Sequence, residues 1–372
     1  MYVSELCLKN FRNYSSAKIR FSSAVNIIYG NNAQGKTNLL EAIYLCSTGR
    51  SHRTYKDSEI IGFNAEVLKV TLKLCKKNRG EIKIETEINS AGKKGVCING
   101  SPIKKIGEML GYLNVVMFSP EDIRFVREEP QMRRRFLDIF ISQIRPSYFF
   151  NVQQYIKILR QRNALLRQIR ENAKLSEMLD AWNTSLSSIG ARIMKERQLI
   201  LKSLDEYAKE NHRKLTKRGE ILRLAYLPSV KAGDAEDTNS IEQCFLQALR
   251  KSTDNDLTRL YTQYGPHRDD ISMHINGKDL KMYGSQGQQR TCALALKLAQ
   301  VDVMEEECGD TPILLLDDVM SELDSGRREN LISDMKKAQT FLTGTDREIL
   351  CNISSQKATF FHVDSGTVTE TS

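Results

Sequence analysis

The sequence predicts an α/β fold, in which a mixed sheet with flanking helices carries an inserted, compact helical lobe. Two short apolar runs predict strands, since Val25–Tyr29 is rich in β-forming residues and Ile313–Leu316 is typical of a strand buried in a parallel sheet. Alternating runs at 67–74 and 82–88 are separated by turn residues, which predicts antiparallel strands. A long stretch with helical periodicity lies between the two apolar runs, and it predicts the lobe.

Composition narrows the class of protein. The 372 residues suffice for two domains, or for one core with a large insertion. No segment approaches the roughly 18 apolar residues that a membrane span needs, and the opening MYVSELCLKNFRNY lacks the apolar centre of a secretory signal. The 8 cysteines stand singly, without a CxxC pair, as is typical of reduced thiols. We therefore expect a cytoplasmic protein without a membrane partner.

A glycine-rich loop follows the first apolar run and leads into an apolar helix. Its residues fit the pattern G-x-x-x-x-G-K-T and are Gly30, Asn31, Asn32, Ala33, Gln34, Gly35, Lys36 and Thr37. The glycines allow several backbone N–H groups to point at phosphate oxygens, and the helix N-terminus and Lys36 add positive charge. Thr37 offers a hydroxyl to Mg²⁺. In this strand–loop–helix context the pattern predicts nucleotide binding.

Two carboxylates, Asp317 and Asp318, follow the second apolar run, at the end of the strand where ligands bind in open α/β sheets. One can hold Mg²⁺ through its hydration shell, and the next can orient or activate an attacking water. A strand that ends in two aspartates is weak evidence alone, because many buried strands end in acidic turns. Beside a phosphate loop it predicts the second half of a nucleotide site.

A polar run of Ser285, Gln286, Gly287 and Gln288 stands directly before the helix that precedes this strand. Ser285 is a good N-cap for a helix whose apolar residues begin at Cys292. The cap explains the serine but not the glycine and the glutamines. Because N–H groups at a helix start can hold an anion, a polar capped turn and an anion site both stay open on local chemistry.

The order of these segments resembles that of ABC-type ATPases, in which Walker A, signature, Walker B and D-loop follow one another. The opening NFRN, from Asn10 to Asn13, resembles the SMC/RecF branch of that class, whose partner is DNA. Four further stretches resemble the same branch, and they are GRSHRTYKDSEII (49–61), FSPEDIRFVREEPQMRRRFLD (118–138), GPHRDD (265–270) and FLTGTD (341–346). The chain is therefore identified as a P-loop ATPase head of this branch.

The resemblance implies a function. Members of the branch bind DNA in an ATP-dependent way during recombinational repair, replication-fork maintenance and the SOS response. It implies an ATP-driven homodimer that clamps duplex or gapped DNA without sequence specificity and helps to load recombinase, with RecR and RecO as partners. The activity would be a weak, DNA-dependent ATPase that works as a conformational switch. ATP and Mg²⁺ would be the cofactors.

The resemblance also assigns roles to residues within one copy of the chain. Arg12 would approach the phosphates of the bound nucleotide. Lys36 and Asp318 would be the catalytic residues, since one stabilises the phosphates and the other positions water. Thr37 and Asp317 would hold Mg²⁺.

Other roles would cross between two copies. Residues 285–288 would form the signature that caps the γ-phosphate held by the other copy, and Asp324 would belong to the D-loop. Three positions depart from the usual ABC pattern. Gln286 replaces a glycine, Asp318 replaces a longer glutamate, and Thr345, an expected ATP contact, stands where a histidine is usual. We therefore expect slow turnover.

The predicted ATPase lobe is discontinuous. It comprises residues 1–125 and 256–372, and the helical insertion comprises 126–255. Within the insertion, apolar residues recur at spacings of four and three, which predicts paired helices packed as ordinary core. The seam is Leu175, Leu179, Trp182, Leu186, Ile189 and Ile193, with Tyr155, Leu159, Leu166 and Ile169 as the facing arm.

The net charge of the chain is compatible with a nucleic-acid partner but does not by itself predict one. A formal net charge of +9 fits a polyanionic partner, and it also fits a merely basic protein. The candidates for phosphate-backbone contacts are Arg133, Arg134, Arg135, Arg160 and Arg162. The alternative for each is a solvated helix face with internal ion pairs.

Two other classes of protein compete with this interpretation. A nucleotide-binding subunit of an ABC transporter would share the motifs, but the missing histidine, the helical insertion and the basic charge disfavour it. A small-molecule kinase with a phosphate loop has no use for the SQGQQ segment. The GPHRDD segment at 265–270 offers one histidine beside two aspartates, which is weak evidence for a metal site, and a structural role is the alternative.

Overall fold

The computed structural model describes most of the chain, namely residues 1–77, 79–216, 219–231, 237–322, 328, 331–332, 337–345 and 358–371. The expected D-loop residue, Asp324, lies outside these described residues. Contacts divide the chain into two compact units. The first unit comprises Met1–Ile123, Asn211–Arg218 and Ala293–Ser372, and the second comprises Arg124–Glu210 and Gly219–Cys292.

The first unit contains an antiparallel sheet. From edge to edge its strands are β2 (Tyr14–Arg20), β1 (Tyr2–Phe11), β4 (Val67–Lys76), β5 (Gly80–Asn89), β6 (Lys94–Ile98) and β7 (Ser101–Pro102). In β4, Leu68, Val70, Leu72 and Leu74 are fully buried and alternate with more exposed residues, so one face of the sheet packs on the core. The antiparallel strands predicted at 67–74 and 82–88 are confirmed as β4 and β5.

A second sheet in the same unit is mostly parallel. Its strands in spatial order are β15 (Thr367–Thr371), β14 (Ala358–Asp364), β3 (Val25–Tyr29), β13 (Thr340–Gly344), β12 (Ile313–Leu316) and β8 (Val115–Phe118). Among its described strands, only the edge strand β15 pairs antiparallel. The two predicted strands are confirmed as β3 and β12, and each pairs parallel with β13, which lies between them. Their carboxyl ends therefore meet at one edge, where ligands bind in such sheets.

The helix α1 (Lys36–Thr48) is part of a core shared with both sheets. Leu39 and Ile43 are fully buried in one apolar cluster with Leu6 and Leu72 of the antiparallel sheet and Leu315 of the parallel one. A helix that is buried on nearly every side needs apolar residues all round, which α1 has. The start of α1, and with it the phosphate loop, is therefore fixed by packing.

The other helices whose bounds are described lie wholly or partly in the second unit. They are α2 (Ile123–Arg127), α3 (Pro130–Ile144), α4 (Pro146–Ile169), α5 (Leu179–Leu215), α6 (Thr238–Lys251), α7 (Thr253–Arg259), α8 (Leu280–Tyr283) and α9 (Gln286–Cys308). This unit also holds an antiparallel sheet of β11 (Lys278–Asp279), β10 (Asp270–Ile275) and β9 (Leu222–Leu227). Short 3-10 turns occur at Asp57–Ile60, Ile106–Met109, Pro120–Asp122, Ala173–Met178 and Val319–Glu322.

The second unit differs from the predicted insertion in extent and content. The expected limits were 126–255, whereas residues 256–292 also belong to the second unit. The reason is pairing, because β10 forms its ladder with β9, which lies inside the insertion. The insertion is thus not purely helical.

The predicted seam is part of the core of the second unit. Leu179, Leu186 and Ile193 on α5 are buried, and Leu179 packs with Leu166 and Ile169 of α4. The spacing of four and three was therefore a core pattern, as predicted. Within the described residues, no helix is both long enough and apolar enough to cross a membrane.

Candidate nucleotide-binding site

The phosphate loop joins β3 to α1 and is shaped by three residues with positive φ. Gly30, Ala33 and Gly35 have φ values of 150°, 65° and 117°. A Cβ atom on Gly30 would lie 2.3 Å from the carbonyl oxygen of Val363, and one on Gly35 would lie 2.7 Å from the side chain of Asn13. Both glycines are therefore required by backbone angle and by space.

Lys36 is the first residue of α1, and only 5% of it is exposed. Its Nζ donates hydrogen bonds to the carbonyl oxygens of Gly30 (2.8 Å) and Asn31 (2.9 Å). Burial lowers the pKa of the ammonium group, and the carboxylates of Asp318 and Asp317 oppose that shift. Lysine binds phosphate as a point charge with three donors, and Lys36 holds that charge against the backbone of the loop.

Asp317 follows β12 and receives two hydroxyl donors. Thr37 Oγ1 and Thr343 Oγ1 each donate to Asp317 Oδ1 at 2.8 Å. Burial raises the pKa of Asp317, whose exposed fraction is 9%, and the two hydroxyl hydrogen bonds lower it. The structure thus joins the last residue of the phosphate loop to the first aspartate of the predicted pair.

Asp318 stands next to this contact in a left-handed conformation. Its φ is 51°, and its backbone N–H donates to Thr343 Oγ1 at 3.0 Å. Aspartate tolerates this region of φ better than most residues do, but at a cost in backbone energy. Thr343 therefore fixes both aspartates, and because it lies on another strand, no local pattern in the sequence predicts this role.

The phosphate loop is supported by residues far away in the sequence. Asn13 Nδ2 donates to the carbonyl oxygen of Gln34 at 2.7 Å, and the Tyr14 hydroxyl donates to the carbonyl oxygen of Gly35 at 3.0 Å. Ser365 N–H donates to Gln34 Oε1 at 2.6 Å. Burial raises the pKa of Tyr14, so its hydroxyl stays protonated and can keep donating. Segments at both ends of the described chain thus shape one loop.

Arg12 forms a bidentate ion pair with Glu41 on α1. Its Nε and Nη2 donate to Glu41 oxygens at 2.9 and 2.6 Å, and the Ser51 hydroxyl donates to the same carboxylate at 2.5 Å. Burial disfavours the charged form of Glu41, but hydrogen bonds from Arg12 and Ser51 outweigh it and lower the pKa. The expected approach of Arg12 to nucleotide phosphates stays a prediction.

Arg53 is a further cation at the site that sequence analysis did not assign. Its Nη1 donates to Asn38 Oδ1 at 2.9 Å and lies 3.7 Å from Glu41 Oε2. Its charge also lowers the pKa of Asp317, as a minor contribution after burial and the hydroxyl contacts. The segment GRSHRTYKDSEII contained the residue, but nothing in the local pattern ties it to α1.

Other predicted contacts lie on the edge formed by the carboxyl ends of the parallel strands. Asn31, Asn32 and Ala33 are exposed on the phosphate loop. Thr345 directly follows β13 and is also exposed. These positions can meet a ligand at that edge, and their contacts with nucleotide stay predictions.

The signature run caps α9 as the local chemistry predicted. Ser285 Oγ accepts a hydrogen bond from Gln288 N–H at 3.2 Å, and Gln288 Oε1 accepts one from Ser285 N–H at 2.9 Å. This reciprocal pair is a capping box. Gln288 Nε2 also donates to Glu220 Oε1 at 2.9 Å. Gln286 and Gly287, between the two partners, are exposed in the first turn of the helix.

Near the start of α9, Gln289 is held by hydrogen bonds, whereas the residues just before the cap are exposed. Arg127 Nε donates to Gln289 Oε1 at 2.6 Å, and Gln289 Nε2 donates to the carbonyl oxygen of Leu280 at 3.2 Å. Directly before the cap, Met282 and Tyr283 are 72% and 73% exposed. A rigid polar helix tip therefore stands beside two apolar side chains open to solvent.

Two of the arginines proposed to contact DNA are buried instead. Arg162 has no exposed surface and donates to Asp256 and to Asn183, at 2.7 and 2.8 Å. Arg133 is 4% exposed and forms a bidentate pair with Asp270, at 2.6 and 2.8 Å. A side chain enclosed in this way cannot reach a phosphate backbone, so both assignments were wrong.

The other three candidates keep some exposure. Arg160 is exposed on α4, whereas Arg134 and Arg135 are half-buried on α3. Arg134 Nη1 donates to the carbonyl oxygen of Asp269 at 2.7 Å. DNA contact by these three residues stays a prediction.

The GPHRDD segment is held by a buried polar network. His267 Nδ1 lies 2.7 Å from the Tyr155 hydroxyl, and its Nε2 lies 3.1 Å from the carbonyl oxygen of Thr262. Burial lowers the pKa of His267 to about 4, so the ring is neutral at pH 7. The carboxylate of Asp269 accepts hydrogen bonds from the Tyr226 hydroxyl and from the Ser229 N–H. Across the described residues, no group of three or more His, Cys, Asp or Glu side chains could hold a metal ion.

The residues around the phosphate loop fit ATP and Mg²⁺. The loop has the positive φ values and the close glycine packing that a phosphate cradle needs, and Lys36 lies against its backbone. Thr37 and Asp317 offer a hydroxyl and a carboxylate 2.8 Å apart, and oxygen ligands of this kind are what Mg²⁺ prefers. Together these features define a P-loop nucleotide-binding protein built on an ABC-type head.

Comparison with known proteins identifies the family. The family described as the RecF/RecN/SMC N terminal domain matches residues 2–369. The chain is 46% identical over 366 residues to the DNA replication and repair protein RecF of Acetivibrio thermocellus, covering 98% of this chain and 99% of that protein. Identity to RecF of Ruminiclostridium cellulolyticum is 45% over 368 residues, covering 99% of each. The chain belongs to the RecF family.

Solved structures agree with this identification. The recombination mediator protein RecF-ATP of the RecFOR pathway matches with a TM-score of 0.93 and 40% identity, covering 100% of this chain and 98% of that one. An Smc head domain from Pyrococcus furiosus matches with a TM-score of 0.57 and 17% identity over 100% of this chain and 96% of that one, which shows a shared fold. The predicted ABC-type head with an insertion is confirmed.

Proposed function

We propose that this chain is an ATP-dependent DNA-binding protein of DNA replication and recombinational repair, in which slow ATP hydrolysis works as a switch. The observation that carries the proposal is the hydrogen bond from Thr37 to Asp317 beside the buried Lys36. This contact joins the two motifs that an ATPase of this class needs. RecF relatives, which are DNA replication and repair proteins, support the biological role.

Within one copy, Lys36 and the loop N–H groups would hold the phosphates of ATP. Thr37 and Asp317 would hold Mg²⁺, which supplies positive charge to the phosphate oxygens when it is bound. Asp318 would orient the attacking water. Its side chain is one methylene shorter than glutamate, and its backbone is fixed by Thr343, so it has little freedom to reach further. Turnover should therefore be slow.

Between two copies, residues 285–288 would cap the γ-phosphate of ATP held by the partner. The capping box keeps Ser285 and Gln288 in place, and Gln286 and Gly287 present the first N–H groups of α9. The adjoining Met282 and Tyr283 are exposed, as expected for apolar residues that a second copy covers. ATP would thus join two copies into a homodimer.

The dimer would bind duplex or gapped DNA without reading its sequence. The net charge of +9 favours a polyanion, and Arg134, Arg135 and Arg160 are the remaining candidates from the original set. On the family resemblance we propose RecR, with RecO, as partners in loading recombinase, and ATPase activity that depends weakly on DNA. We propose the cytoplasm as its location.

Sedimentation with ATP, ADP or no nucleotide, each with and without duplex DNA, tests the proposal. ATP alone should produce dimers, and these should retain DNA better than the ADP-loaded chain does. Lys36→Arg should weaken the response to nucleotide. Ser285→Arg should leave ATP binding by the monomer intact but prevent dimers, because it obstructs only the contact in trans.

Three results would contradict the proposal. Identical sedimentation with ATP and ADP would remove the switch. Loss of ATP binding by the Ser285→Arg monomer would place the serine in its own nucleotide site and not in that of a partner. Rapid turnover by the purified chain without DNA would contradict the proposed slow ATPase.

A further inference from the structure

The loop between α7 and β10 presents two tyrosines to solvent. We call residues 260–268, LYTQYGPHR, the tyrosine loop. Tyr261 and Tyr264 are 36% and 38% exposed, and Arg268 and the preceding Arg259 are exposed as well. The nucleotide site uses none of these side chains.

The tyrosine loop is held from beneath by buried side chains. Thr262 has no exposed surface, its hydroxyl accepts from Arg162 Nη1 at 2.7 Å, and its N–H donates to Asn163 Oδ1 at 2.9 Å. His267 is bound to the Tyr155 hydroxyl at 2.7 Å. Thr262 and His267 thus point inward, and Tyr261 and Tyr264 are left on the outside.

Gly265 fixes the turn in the middle of the loop. Its φ is 127°, and a Cβ there would lie 2.3 Å from the Tyr155 hydroxyl and 2.5 Å from Phe245. Ser229 Oγ donates to the carbonyl oxygen of Gly265 at 3.0 Å and accepts its N–H at 2.8 Å. Exposed aromatic rings on a fixed backbone lose little freedom when a ligand covers them.

The outer surface of the loop is aromatic and cationic. The guanidinium of Arg268 lies over the Tyr261 ring, 4.7 Å from its centre, and a hydrogen bond from Arg259 lowers the pKa of Tyr261. The sequence from 257 to 268 contains no aspartate or glutamate. The flanking Asp256 and Asp269 have no exposed surface and face Arg162 and Arg197, at 2.7 and 3.8 Å, so they do not pair with the arginines of the loop.

We propose that the tyrosine loop binds single-stranded nucleic acid. Unpaired bases would stack on Tyr261 and Tyr264, and their phosphates would lie against Arg259 and Arg268. Aromatic rings beside arginines are the usual means of holding unpaired bases without sequence preference. A site with two arginines and no exposed carboxylate favours a polyanion over an ordinary protein surface. The inference rests on the proposed DNA-binding function and adds to it the unpaired strand of a gap.

Fluorescence anisotropy with labelled oligo(dT) and with a duplex of equal length tests this site on the full chain. Tyr261→Ala and Tyr264→Ala should each weaken oligo(dT) binding about tenfold and leave duplex affinity within about twofold. Tyr261→Phe keeps the ring and should bind as the unmodified chain does. Arg268→Ala should weaken oligo(dT) binding and reduce its logarithmic salt slope by about one.

Arg250→Ala is the matched control for the arginine. Arg250 is exposed in the same unit but already paired with Asp180, at 2.8 and 2.9 Å, so its loss should not change oligo(dT) affinity. Thermal unfolding of each variant should match that of the unmodified chain, because the substituted side chains lie on the surface.

The possible outcomes separate this inference from the function on which it rests. If the chain binds duplex but not oligo(dT), or if Tyr261→Ala and Tyr264→Ala both retain oligo(dT) affinity, the loop proposal is overturned and DNA binding stands. If the tyrosine variants retain oligo(dT) but lose ATP-dependent dimers, the loop is a protein contact, which also overturns it. If the unmodified chain binds neither DNA, both proposals fail.

Discussion

One buried cation in each unit, Lys36 in the first and Arg162 in the second, shows two opposite ways of holding a buried charge. In the first unit Lys36 donates to the backbone carbonyls of Gly30 and Asn31. In the second unit Arg162 donates to the carboxylate of Asp256, with both side chains fully enclosed. A cation on neutral carbonyls keeps a net charge with which it can attract an anion, whereas a cation on a carboxylate does not.

The partners of the two buried cations indicate what each cation contributes. The lysine is positioned for a ligand, so its removal should affect binding more than folding. The buried arginines of the second unit are positioned for the fold, since Arg197 likewise joins Asp138 and the carbonyl oxygen of Pro266. Four experiments test this contrast between the two buried cations.

The largest effect is expected where a substitution removes one partner of a buried ion pair. Arg162→Ala leaves Asp256 buried without its cation, and such a loss costs about 3 to 5 kcal/mol of unfolding free energy. Urea denaturation measures it. The control is Arg160→Ala on the same helix, whose exposed side chain should change stability by less than about 0.5 kcal/mol. Equal effects of the two variants would show that the buried pair does not stabilise the second unit.

The next largest effect is expected at Lys36, the buried cation that is positioned to bind a ligand. Lys36→Ala should weaken ATP binding about a hundredfold, or about 2.7 kcal/mol, because it removes a charge-assisted contact with phosphate. Titration with a fluorescent ATP analogue measures it. Lys56→Ala, which removes an exposed lysine of the same unit, serves as the control. If Lys36→Ala bound ATP normally but unfolded easily, the contrast between the units would be lost.

The third effect is one that the two units should share. Burial lowers the pKa of His52 in the first unit and of His267 in the second to about 4. A histidine with a lowered folded pKa takes up its proton preferentially in the unfolded chain. Stability is therefore complete above pH 6.5 and is lost progressively as the pH falls from 6.5 to 4. At pH 5, each histidine should lower the free energy of unfolding by about 1 to 2 kcal/mol relative to its value above pH 6.5.

Urea denaturation at pH 7 and pH 5 checks this expectation. In His52→Gln and in His267→Gln, the loss between the two pH values should be smaller than in the unmodified chain by that amount. A variant with the full loss would show that its histidine is not a source of acid sensitivity.

The smallest effect is expected at the start of α9. Ser285→Ala removes the side-chain half of the capping box and should cost about 1 kcal/mol of unfolding free energy. Ser285→Asp retains an oxygen acceptor and should cost less. Urea denaturation distinguishes the two variants, and an equal loss for both would argue against the cap as the source of stability.

Local patterns made one site predictable from the sequence. The phosphate loop and Asp317 are recognised by fixed spacings within a few residues of buried strands, and the structure brings Thr37 and Asp317 together. Thr343 and Tyr14 complete the same site but lie on other strands, so no spacing in the sequence connects them to it. The fold class was predictable for the same reason, because β3 and β12 are continuous apolar runs.

Arg133 and Arg162 were wrongly assigned to DNA contact because the carboxylates that pair with them are distant in the sequence. Asp256 lies 94 residues from Arg162, so the sequence presents the arginine as an unpaired charge. A local signal was nevertheless present, since Arg162 stands four positions after Ile158 and four before Leu166, on the apolar face of α4. The short sheet of the second unit was missed because β9 and β10 are far apart and no tight turn joins them.

The dependence of the phosphate loop on β14 has a consequence for synthesis on the ribosome. Gly30 packs against Val363, and Gln34 is held by Ser365, which is translated 331 residues later. At a translation rate of roughly 5 to 20 residues per second, the loop emerges roughly 17 to 66 seconds before its support exists. A nascent chain therefore cannot complete its ATP cradle while it is being made, and premature termination before β14 should yield a product without one.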